Sequence, residues 1–417
     1  MRIAYVDLSP GIGGSLISLQ RLLERLDRPA FEPVMVLAGH NPAVARFREM
    51  AIPVVTVPVF RPDTARTSAL VRHLKQSVLQ EKVRERGLAG RLWSWGRGLR
   101  NILTRTAPLT WRLYRALRRI GPALVHINDA VFVSRPAIAA AWLARRPALC
   151  HVRSLATLNG WDRLWARTLR GFIFISRWVA EDVGRQIATG DSLRRVIYDG
   201  LDPAPYIQAP DRLAARAVLG LPADRPIVAV LGRLVPWKGQ DLFLRALRQV
   251  VDALPTTLGL VVGEPEVYSL EYGPALRHLA ADLGLGEAVR FTGYLQDTPT
   301  LLAAIDVLAH TSISPEPFGL VMLEAMAAGR PVVTPAEGGG PEIVVHGHTG
   351  LLYEPRNPAA LAAAIIQLLS DPARAAAMGE AGRRRVTEAF SPDRFAAEVA
   401  SFYRELAEIS SGVLAEH

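Results

Sequence analysis

Short apolar stretches alternate with helical patterns along most of this chain, and the alternation begins twice. The first series runs from RIAYVD at residues 2–7 to RRVIY at residues 194–198, and the second runs from PIVAVLG at 226–232 to PVVTP at 331–335. Strands that alternate with helices are typical of parallel sheets covered by helices on both faces. The alternation therefore predicts an α/β fold with two Rossmann-like, doubly wound domains.

The proline-rich stretch DPAPYIQAP separates the two series. We place an N-terminal domain at residues 1–203 and a C-terminal domain at residues 204–390, since single cores rarely exceed ~250–300 residues. The helical stretch SPDRFAAEVASFYRELAEI follows the last strand, and we expect residues 391–417 to pack back on the N-terminal domain. Ligands of open α/β sheets bind at the carboxyl ends of the strands, so chemistry is expected in the loops that face a central cleft.

The composition limits the class of protein. Cys150 is the only cysteine, which excludes an intramolecular disulfide and a cysteine-based zinc site, and we expect a buried, unreactive thiol in a reducing compartment. The N-terminus has no signal-peptide pattern, and no stretch of 18 uninterrupted apolar residues occurs. A cytoplasmic protein is therefore expected.

The stretch SPEPFGLVMLE at residues 314–324 carries two glutamates around a Phe-Gly turn. A helix is predicted over about 319–328, which puts Glu316 in the preceding loop and Glu324 in the second turn. Free amides at the helix N-terminus bind anions, and carboxylates accept hydrogen bonds from vicinal diols. This arrangement suits a nucleotide sugar, which has a diol on each side of its phosphates. The alternative is that Glu316 only acidifies the helix N-terminus and Glu324 is solvated.

The stretch LGRLVPWKGQ at residues 231–240 follows a predicted strand and supplies Arg233 and Lys238. An arginine fork and a lysine point charge can bracket a diphosphate, although a plain surface position for the lysine is the alternative. No D-x-D pattern occurs, so paired aspartates that could hold a metal are missing. The charge of a diphosphate would then fall on Arg233, Lys238 and the helix amides.

Two glycine-rich stretches complete the candidates. GIGGS at residues 11–15 lacks the full G-x-G-x-x-G of dinucleotide-binding enzymes, and the chain has no G-x-x-x-x-G-K-[ST] pattern of nucleotide hydrolases. AEGGGPEIV at residues 336–344 has three glycines that would let the backbone approach a ligand before a helix near Pro341. A simple turn is the alternative for the second stretch.

Several stretches in order resemble one known family. GRLVPWKGQ, FTGYLQD, EPFGLVMLEAMAAGRPVV, GGGPEIV and HGHTGLLYEP match the pattern of retaining glycosyltransferases of the GT-B fold, family 4 (glycosyl transferases group 1). The likeness covers residues 226–390 strongly. In the first domain it is looser and rests on GIGGS, LVHIND, FISRWVAEDV and VIYDGLDP.

The resemblance implies roles for particular residues. Glu316 would contact the hydroxyls of the donor sugar and Glu324 the ribose diol, while Arg233 and Lys238 would bind the diphosphate. The other donor-binding positions that it implies are Gly13 and Gly14 in the glycine loop, Tyr294 and Leu295 near the base, and the backbone amides of Phe318, Gly319 and Leu320.

The resemblance also implies the reaction. A hexose-type sugar would move from a UDP- or GDP-sugar to a hydroxyl acceptor, a glycan or a lipid-linked glycan precursor, with retention of configuration. No permanent cofactor or metal would be needed. Retention would not need a strong base either, because the leaving diphosphate itself would accept the proton of the acceptor on the same face. The phosphate cradle would then be the main catalytic device.

The chain departs from the family pattern after its fourth strand. The family often has a second histidine where LVHIND has Asn128, and an amide cannot act as a base near neutral pH. Catalytic help from this loop would have to come from His126, Asn128 as a hydrogen-bonding group, or Asp129. His151 is a further candidate.

The formal charge of +10 is concentrated in one segment. Residues 61–120 contain 15 Lys and Arg against three acidic residues, a net charge of +12, so a uniformly basic nucleic-acid binder is not indicated. A helical pattern within this segment separates apolar positions from arginines. It could pack on its domain, lie on an anionic membrane, or bind an anionic acceptor such as a lipid diphosphate. The residues concerned are Trp93, Trp95, Trp111, Arg112, Arg115 and Arg119.

Two other functions remain open from the sequence. A nucleotide-sugar epimerase of the same fold would isomerise the donor without an acceptor. A non-catalytic subunit would dock on a membrane or on partner glycosyltransferases through residues 61–120. A peripheral position on the inner face of a membrane is compatible with the transferase and with the subunit.

Overall fold

The computed structural model describes residues 1–9, 11–59, 106–187, 190 and 192–415, with side chains described as far as residue 409. The first part of the chain forms seven strands: β1 Arg2–Asp7, β2 Glu32–Ala38, β3 Val54–Val57, β4 Leu124–Asn128, β5 Ala148–Val152, β6 Gly171–Phe174 and β7 Leu193–Val196. Its helices are α1 Gly14–Arg25, α2 Ala43–Glu49, α3 Ala107–Ile120, α4 Arg135–Leu143, α5 Gly160–Ala166 and α6 Arg177–Asp182.

The second part of the chain repeats the architecture. Its strands are β8 Ile227–Leu231, β9 Leu258–Val262, β10 Val289–Gly293, β11 Val307–Ala309, β12 Val332–Pro335 and β13 Gly350–Tyr353. Its helices are α7 Ala204–Ile207, α8 Arg212–Val218, α9 Gln240–Ala253, α10 Tyr272–Asp282, α11 Thr298–Ala304, α12 Leu320–Ala327, α13 Gly340–Ile343, α14 Pro358–Ser370, α15 Pro372–Ala389 and α16 Pro392–Ala415.

Both sheets are parallel throughout, as the alternating pattern predicts. The first has the strand order β3-β2-β1-β4-β5-β6-β7 and the second the order β10-β9-β8-β11-β12-β13. In each sheet the order reverses beside the first strand of the domain, and such a reversal opens a crevice for a ligand. The prediction of two doubly wound domains is therefore confirmed. The strand β13 is an addition, because the predicted series of the second domain ended with PVVTP, which forms β12.

Alternate residues of β1 face two separate cores. Ala4 and Val6 pack in the core covered by α3, α4, α5 and α6, whereas Ile3 and Tyr5 pack in the core covered by α1, α2 and α16. This division follows from the two-residue period of a strand. Each face of the first sheet is therefore covered by helices, and the strand ends are left to form loops at the edges.

The last helix crosses back to the first domain. Phe395, Phe402 and Tyr403 of α16 are fully buried in the core that contains Ile3 and Tyr5. α16 directly follows α15 of the second domain. It therefore links the two domains through its packing on the first domain as well as through the covalent chain.

The single cysteine is fully buried in β5. Burial raises the pKa of the Cys150 thiol well above its usual range, with a smaller contribution from Asp129. The expected buried, unreactive thiol is what the structure shows.

Candidate active site

Three neighbouring strands of the second sheet bring the candidate loops together. β8, β11 and β12 are adjacent, and the loops at their carboxyl ends contain residues 232–239, 310–319 and 336–339. Parallel strands end at the same edge of a sheet, so stretches that are far apart in the sequence meet there.

Glu316 lies at the centre of a polar cluster in these loops. Its Oε2 accepts hydrogen bonds from Lys238 Nζ at 2.6 Å and Ser312 Oγ at 3.1 Å and lies 3.3 Å from His310 Nε2. The imidazole is held from its other side, where His310 Nδ1 lies 3.2 Å from Thr334 Oγ1. The Glu316 side chain is only 13% exposed. All of these contacts use Oε2, which leaves Oε1 for a ligand.

The electrostatics of the cluster keep Glu316 ionised. Burial alone would raise the pKa of this carboxyl, but the charge of Lys238 and the hydrogen bond from His310 outweigh burial and hold the pKa well below its usual range. A carboxylate of this kind is a fixed hydrogen-bond acceptor rather than a general base at neutral pH. It suits the binding of hydroxyl groups.

Backbone contacts fix Lys238 next to this carboxylate. Pro236–Lys238 forms a single 3₁₀ turn whose ends are tied to the neighbouring loop: Thr311 Oγ1 donates to the Lys238 carbonyl at 2.8 Å, and the Ile313 N–H donates to the Trp237 carbonyl at 2.9 Å. The ammonium group also lies 4.3 Å from the centre of the Trp237 ring, a favourable cation–π distance. The lysine is therefore preorganised rather than a mobile surface residue.

The glycine run after β12 packs against the protein's own backbone. The Gly339 N–H donates to the Glu316 carbonyl at 2.7 Å, and a Cβ on Gly338 would lie 2.6 Å from the same oxygen. The loop of Glu316 therefore occupies the Cβ side of these two glycines, and an approach of their backbone to a ligand stays a prediction. The run shapes the site indirectly.

Glu324 lies where both domains and the linker meet. Its Oε1 is 3.1 Å from Nη2 of Arg21 in α1, and Tyr206 of α7 lies close enough to lower the pKa of the carboxyl. Burial raises the pKa of Glu324, although the charge of Arg21 acts in the opposite direction. The side chain is mostly buried, so the alternative of a solvated helix residue does not hold. Arg21 Nη1 is buried and has no hydrogen-bond partner among the described residues.

Arg233 is placed differently from Lys238. Its guanidinium is 60% exposed and pairs with Glu266, while its backbone carbonyl accepts a hydrogen bond from Gln240 at 2.9 Å. The two basic residues of this loop therefore have separate partners, and the bracketing of a diphosphate by both stays a prediction.

The remaining donor-side positions line the start of α12. Gly319 caps the helix with φ +105°, in the left-handed region that favours glycine. The Phe318 ring is buried against Tyr198, so only its backbone amide can face a ligand. Across the cleft, Gly13 caps α1, and a Cβ on Gly14 would lie 3.8 Å from Leu320 Cδ1. After β10, Tyr294 is exposed, and Leu295 is half-buried.

Asn128 belongs to a buried network at the cleft edge of the first sheet. Its Nδ2 donates to Asp7 Oδ2 at 2.6 Å, and its Oδ1 accepts from Arg153 Nε at 2.5 Å. Arg153 also pairs with Asp199 at 2.9 Å, and Ser18 of α1 donates to Asp199. Both polar ends of Asn128 are therefore used within the protein. Its role in catalysis stays a prediction that this network does not favour.

The nearby histidines and Asp129 are also buried or held by contacts within the protein. His126 is fully buried with Nδ1 2.6 Å from the Tyr403 hydroxyl, and burial together with the charge of Arg153 lowers its pKa well below the usual range. The pKa of His151 is lowered for the same reasons. Burial raises the pKa of Asp129, whose Oδ1 accepts the Ala130 N–H at 2.6 Å. A catalytic role for any of them stays a prediction.

The basic segment is described only from residue 106 onward, so Trp93 and Trp95 lie outside the described residues. α3 buries Leu113 and Leu117 against the first sheet. Its outer face carries an exposed Trp111 stacked on Tyr114 at 5.2 Å between ring centres. The arginines of that exposed face are Arg112, Arg115, Arg118 and Arg119.

The exposed face of α3 continues onto its neighbours. Trp142 at the end of α4 and Trp161 at the start of α5 are 57% and 66% exposed, and both helices lie on the same side of the first sheet as α3. Residues 107–170 contain eleven arginines and two aspartates, a net charge of +9. We call the outer side of α3, α4 and α5 the aromatic surface.

The described residues contain neither a membrane-spanning helix nor a metal-binding cluster. None of the helices that they form is long and apolar enough to cross a bilayer. Among the same residues, no group of three or more His, Cys, Asp and Glu side chains is arranged to hold a metal ion. Metal independence stays a prediction.

Comparison with known proteins identifies relatives for both domains. The family described as glycosyl transferases group 1 matches residues 211–385. A Mycolicibacterium smegmatis protein named GDP-mannose-dependent alpha-(1-6)-phosphatidylinositol monomannoside mannosyltransferase is 38% identical over 220 residues, 50% of this chain and 56% of that protein. A D-inositol 3-phosphate glycosyltransferase of Streptomyces avermitilis is 33% identical over 294 residues, 69% of this chain and 61% of that protein.

The first of these matches thus spans little more than half of that relative's own length, and the second about three fifths. A solved structure extends the comparison over the whole fold: Anabaena HepE in complex with UDP and glucose has a TM-score of 0.78 and 25% identity, covering 97% of this chain and 100% of the other.

Sequence reasoning missed several residues of the site. His310, Ser312 and Thr334 surround Glu316, yet only His310 carried a signal, because it directly follows a predicted strand. Arg21 appeared as one of many arginines on a predicted helix. Its contact with Glu324 joins residues 303 positions apart, and no local pattern indicates such a contact.

The position next to Lys238 gives a test of this loop geometry. Gly239 has φ +67°, and a Cβ there would lie 2.1 Å from the Thr311 carbonyl oxygen, whereas Gly220 has φ +60° and open space around it. We expect Gly220→Ala to lower the free energy of unfolding of the C-terminal domain by ~1–2 kcal/mol through backbone strain. Gly239→Ala should cost about 1–3 kcal/mol more through the clash. Urea denaturation monitored by circular dichroism measures both, and equal losses in the two variants would contradict this geometry.

Proposed function

Because this chain belongs to the glycosyl transferases group 1 family, we propose that it is a retaining glycosyltransferase that moves a hexose-type sugar from a nucleotide diphosphate sugar to a hydroxyl acceptor. The observation that carries the proposal is the cluster in which Lys238 and His310 hold the Glu316 carboxylate ionised at the cleft edge of the second sheet. A fixed carboxylate beside a fixed ammonium group suits a ligand that presents hydroxyls next to phosphates.

The two glutamates would bind opposite ends of the donor. Oε1 of Glu316, which is free of the contacts made by Oε2, accepts a hydroxyl of the transferred sugar. Glu324 accepts the ribose diol, and its pair with Arg21 rearranges when the nucleotide enters. The diphosphate lies between them, against Lys238 and the first amides of α12, with Arg233 turning from Glu266 toward it.

The chemistry follows from this placement. The bond between the anomeric carbon and the diphosphate oxygen breaks, and the oxygen of the acceptor hydroxyl bonds to the same face of that carbon. The hydroxyl proton passes to the departing diphosphate oxygen, so the products are the glycoside and the nucleoside diphosphate. Lys238 and the helix amides stabilise the negative charge that develops on the leaving group. No side chain has to act as a strong base, which agrees with the occupied amide of Asn128.

The relatives suggest which donor and acceptor to test. One is named for GDP-mannose and a phosphatidylinositol mannoside, another for inositol 3-phosphate, and the structural relative was crystallised with UDP and glucose. For this chain we propose a UDP- or GDP-sugar as the donor and a glycan or lipid-linked glycan precursor as the acceptor.

The aromatic surface supports an acceptor at a membrane. Exposed tryptophans beside arginines favour the headgroup region of an anionic bilayer, where indole rings lie at the interface and arginines meet phosphates. The surface belongs to the N-terminal domain, which we propose to be the acceptor-side domain. We therefore propose a cytoplasmic enzyme that associates peripherally with the inner face of a membrane.

Removal of Lys238 tests the catalytic role of the cluster. Lys238→Ala should lower turnover at least ~100-fold, which corresponds to the loss of about 3 kcal/mol of transition-state stabilisation. Arg245→Ala, at an exposed position of α9, is the matched control and should keep wild-type turnover. Steady-state assays of sugar transfer measure both, and near wild-type turnover of a folded Lys238→Ala variant would reject the assignment.

A thermal-shift screen tests donor binding. UDP, GDP, ADP and their common sugar conjugates are tested with and without EDTA. One nucleotide should raise the Tm of the wild type, since a ligand at 100 times its Kd stabilises the native state by about 2.7 kcal/mol. The shift should shrink in Glu324→Ala and persist in Glu271→Ala, where the carboxylate is exposed. No shift from any nucleotide would favour a non-catalytic subunit. Isomerised donor recovered without acceptor would indicate an epimerase.

A sedimentation assay tests the aromatic surface. The wild type should pellet at low salt with vesicles of phosphatidylglycerol and phosphatidylcholine. The double variant Trp142→Ser, Trp161→Ser should lose about half or more of the pelleted fraction, because less apolar surface inserts. Tyr268→Ser, which removes a 97% exposed ring from the other domain, is the control. Failure of the wild type to pellet would contradict membrane association. Equal pelleting by all variants would exclude the aromatic surface as the site that binds the membrane.

A further inference from the structure

A cavity of about 470 Å³ lies at the amino-terminal edge of the second sheet, away from the candidate active site. It is bounded by the starts of β8, β11 and β12 and by the first turn of α15. Its polar lining consists of Arg212, Arg225, Arg330, Asp224 and Asp306. Its size is in the range of pockets that bind small metabolites, ~300–1,000 Å³.

Both carboxylate oxygens of Asp306 already have hydrogen-bond partners within the protein. Its Oδ1 pairs with Arg212 at 2.9 Å, and its Oδ2 accepts from Arg216 at 2.8 Å and from the Ile227 N–H at 2.7 Å. Arg216 is itself buried, and its other N–H groups donate hydrogen bonds to backbone carbonyls. One carboxylate thus serves two guanidinium groups and a backbone amide, so it has no capacity left to neutralise a third cation.

Arg330 is that third cation. Its Nε is buried and has no hydrogen-bond partner among the residues that the structure describes. Burial lowers the pKa of Arg330, and repulsion from Arg212, Arg383 and Arg216 lowers it further, against the attraction of Asp306. The nearby Arg383 packs on Gly329 and pairs with Glu380 at 3.1 Å. A guanidinium keeps its proton near neutral pH. The four arginines at this site, Arg212, Arg216, Arg225 and Arg330, therefore exceed the carboxylates of Asp224 and Asp306 by two positive charges.

We propose that the cavity binds a phosphate group, with Arg330 as the principal ligand and Arg212 and Arg225 at its rim. An oxyanion in the cavity supplies the missing negative charge and offers acceptors to the part of the Arg330 side chain that lines the cavity. Arginine forks match the geometry of phosphate oxygens. The phosphate comes either from the free ion or from a phosphorylated metabolite.

This site is separate from the donor site but shares its strands. Asp306 precedes β11 and His310 follows it, while Arg330 precedes β12 and Thr334 lies within it. Four residues of extended chain span ~13 Å. The cavity and the Glu316 cluster therefore lie at opposite ends of the same two strands, and a phosphate bound at one end does not occupy the other.

Isothermal titration calorimetry with inorganic phosphate and with glucose 1-phosphate, at constant ionic strength set by chloride, tests the proposal. The wild type should bind at least one probe, and Arg330→Gln should weaken that binding at least about tenfold, since a charge-assisted pair is lost. Tighter binding of glucose 1-phosphate would identify a phosphorylated metabolite as the source. Equal or tighter binding of inorganic phosphate would identify the free ion.

Three variants make the result specific. Arg233→Gln should leave binding unchanged, which separates this cavity from the proposed diphosphate site, and Arg245→Gln controls for the loss of an exposed charge. If Arg330→Gln does not fold, Arg212→Gln at the exposed rim takes its place and should also weaken binding. The proposal is overturned if neither probe binds, if the cavity variants bind like the wild type, or if Arg233→Gln abolishes the binding.

Discussion

The ionised carboxylate of Glu316 is the group on which the geometry of the second domain's cleft edge depends. A buried charge is tolerated only when it is paired and hydrogen-bonded, and removal of one partner from such a pair costs about 3–5 kcal/mol. Lys238, Ser312 and His310 meet this requirement from two different loops. The glycines after β12 then pack on the backbone of the same residue. Two strand-end loops are thereby held together by one charge, and the third packs on the backbone of the same residue.

Contacts between the domains surround this edge. Glu342 of the second domain accepts the Arg177 and Trp178 N–H groups of the first at 2.8 Å each, and Ser176 donates to the Pro317 carbonyl at 2.6 Å. The first two bonds satisfy free amides at the N-terminus of α6, and a carboxylate is favoured there by the helix dipole. The loop that carries Glu316 is therefore supported from the first domain as well as from its own.

The first domain contributes a buried polar network at the cleft edge. Asp7, Asn128, Arg153 and Asp199 end or follow different strands, and their side chains satisfy one another in a buried network. Low dielectric surroundings strengthen each bond and make an unpaired member costly. This network explains why an asparagine is accommodated at the end of β4 and why Asp199 is buried in an ion pair.

The sequence by itself determined the parallel sheets, all strand positions except that of β13, the loops that hold Glu316 and Lys238, and the helix that carries Glu324. Strand and helix periodicity and glycine positions are local properties of the chain. Only the tertiary structure decided which groups those residues meet. Contacts between distant stretches place Lys238 beside Glu316, Arg21 beside Glu324 and Glu266 beside Arg233. The unbalanced charge at Arg330 also depends on such contacts. Charge pairing and burial are set by packing, and no spacing along the chain encodes them.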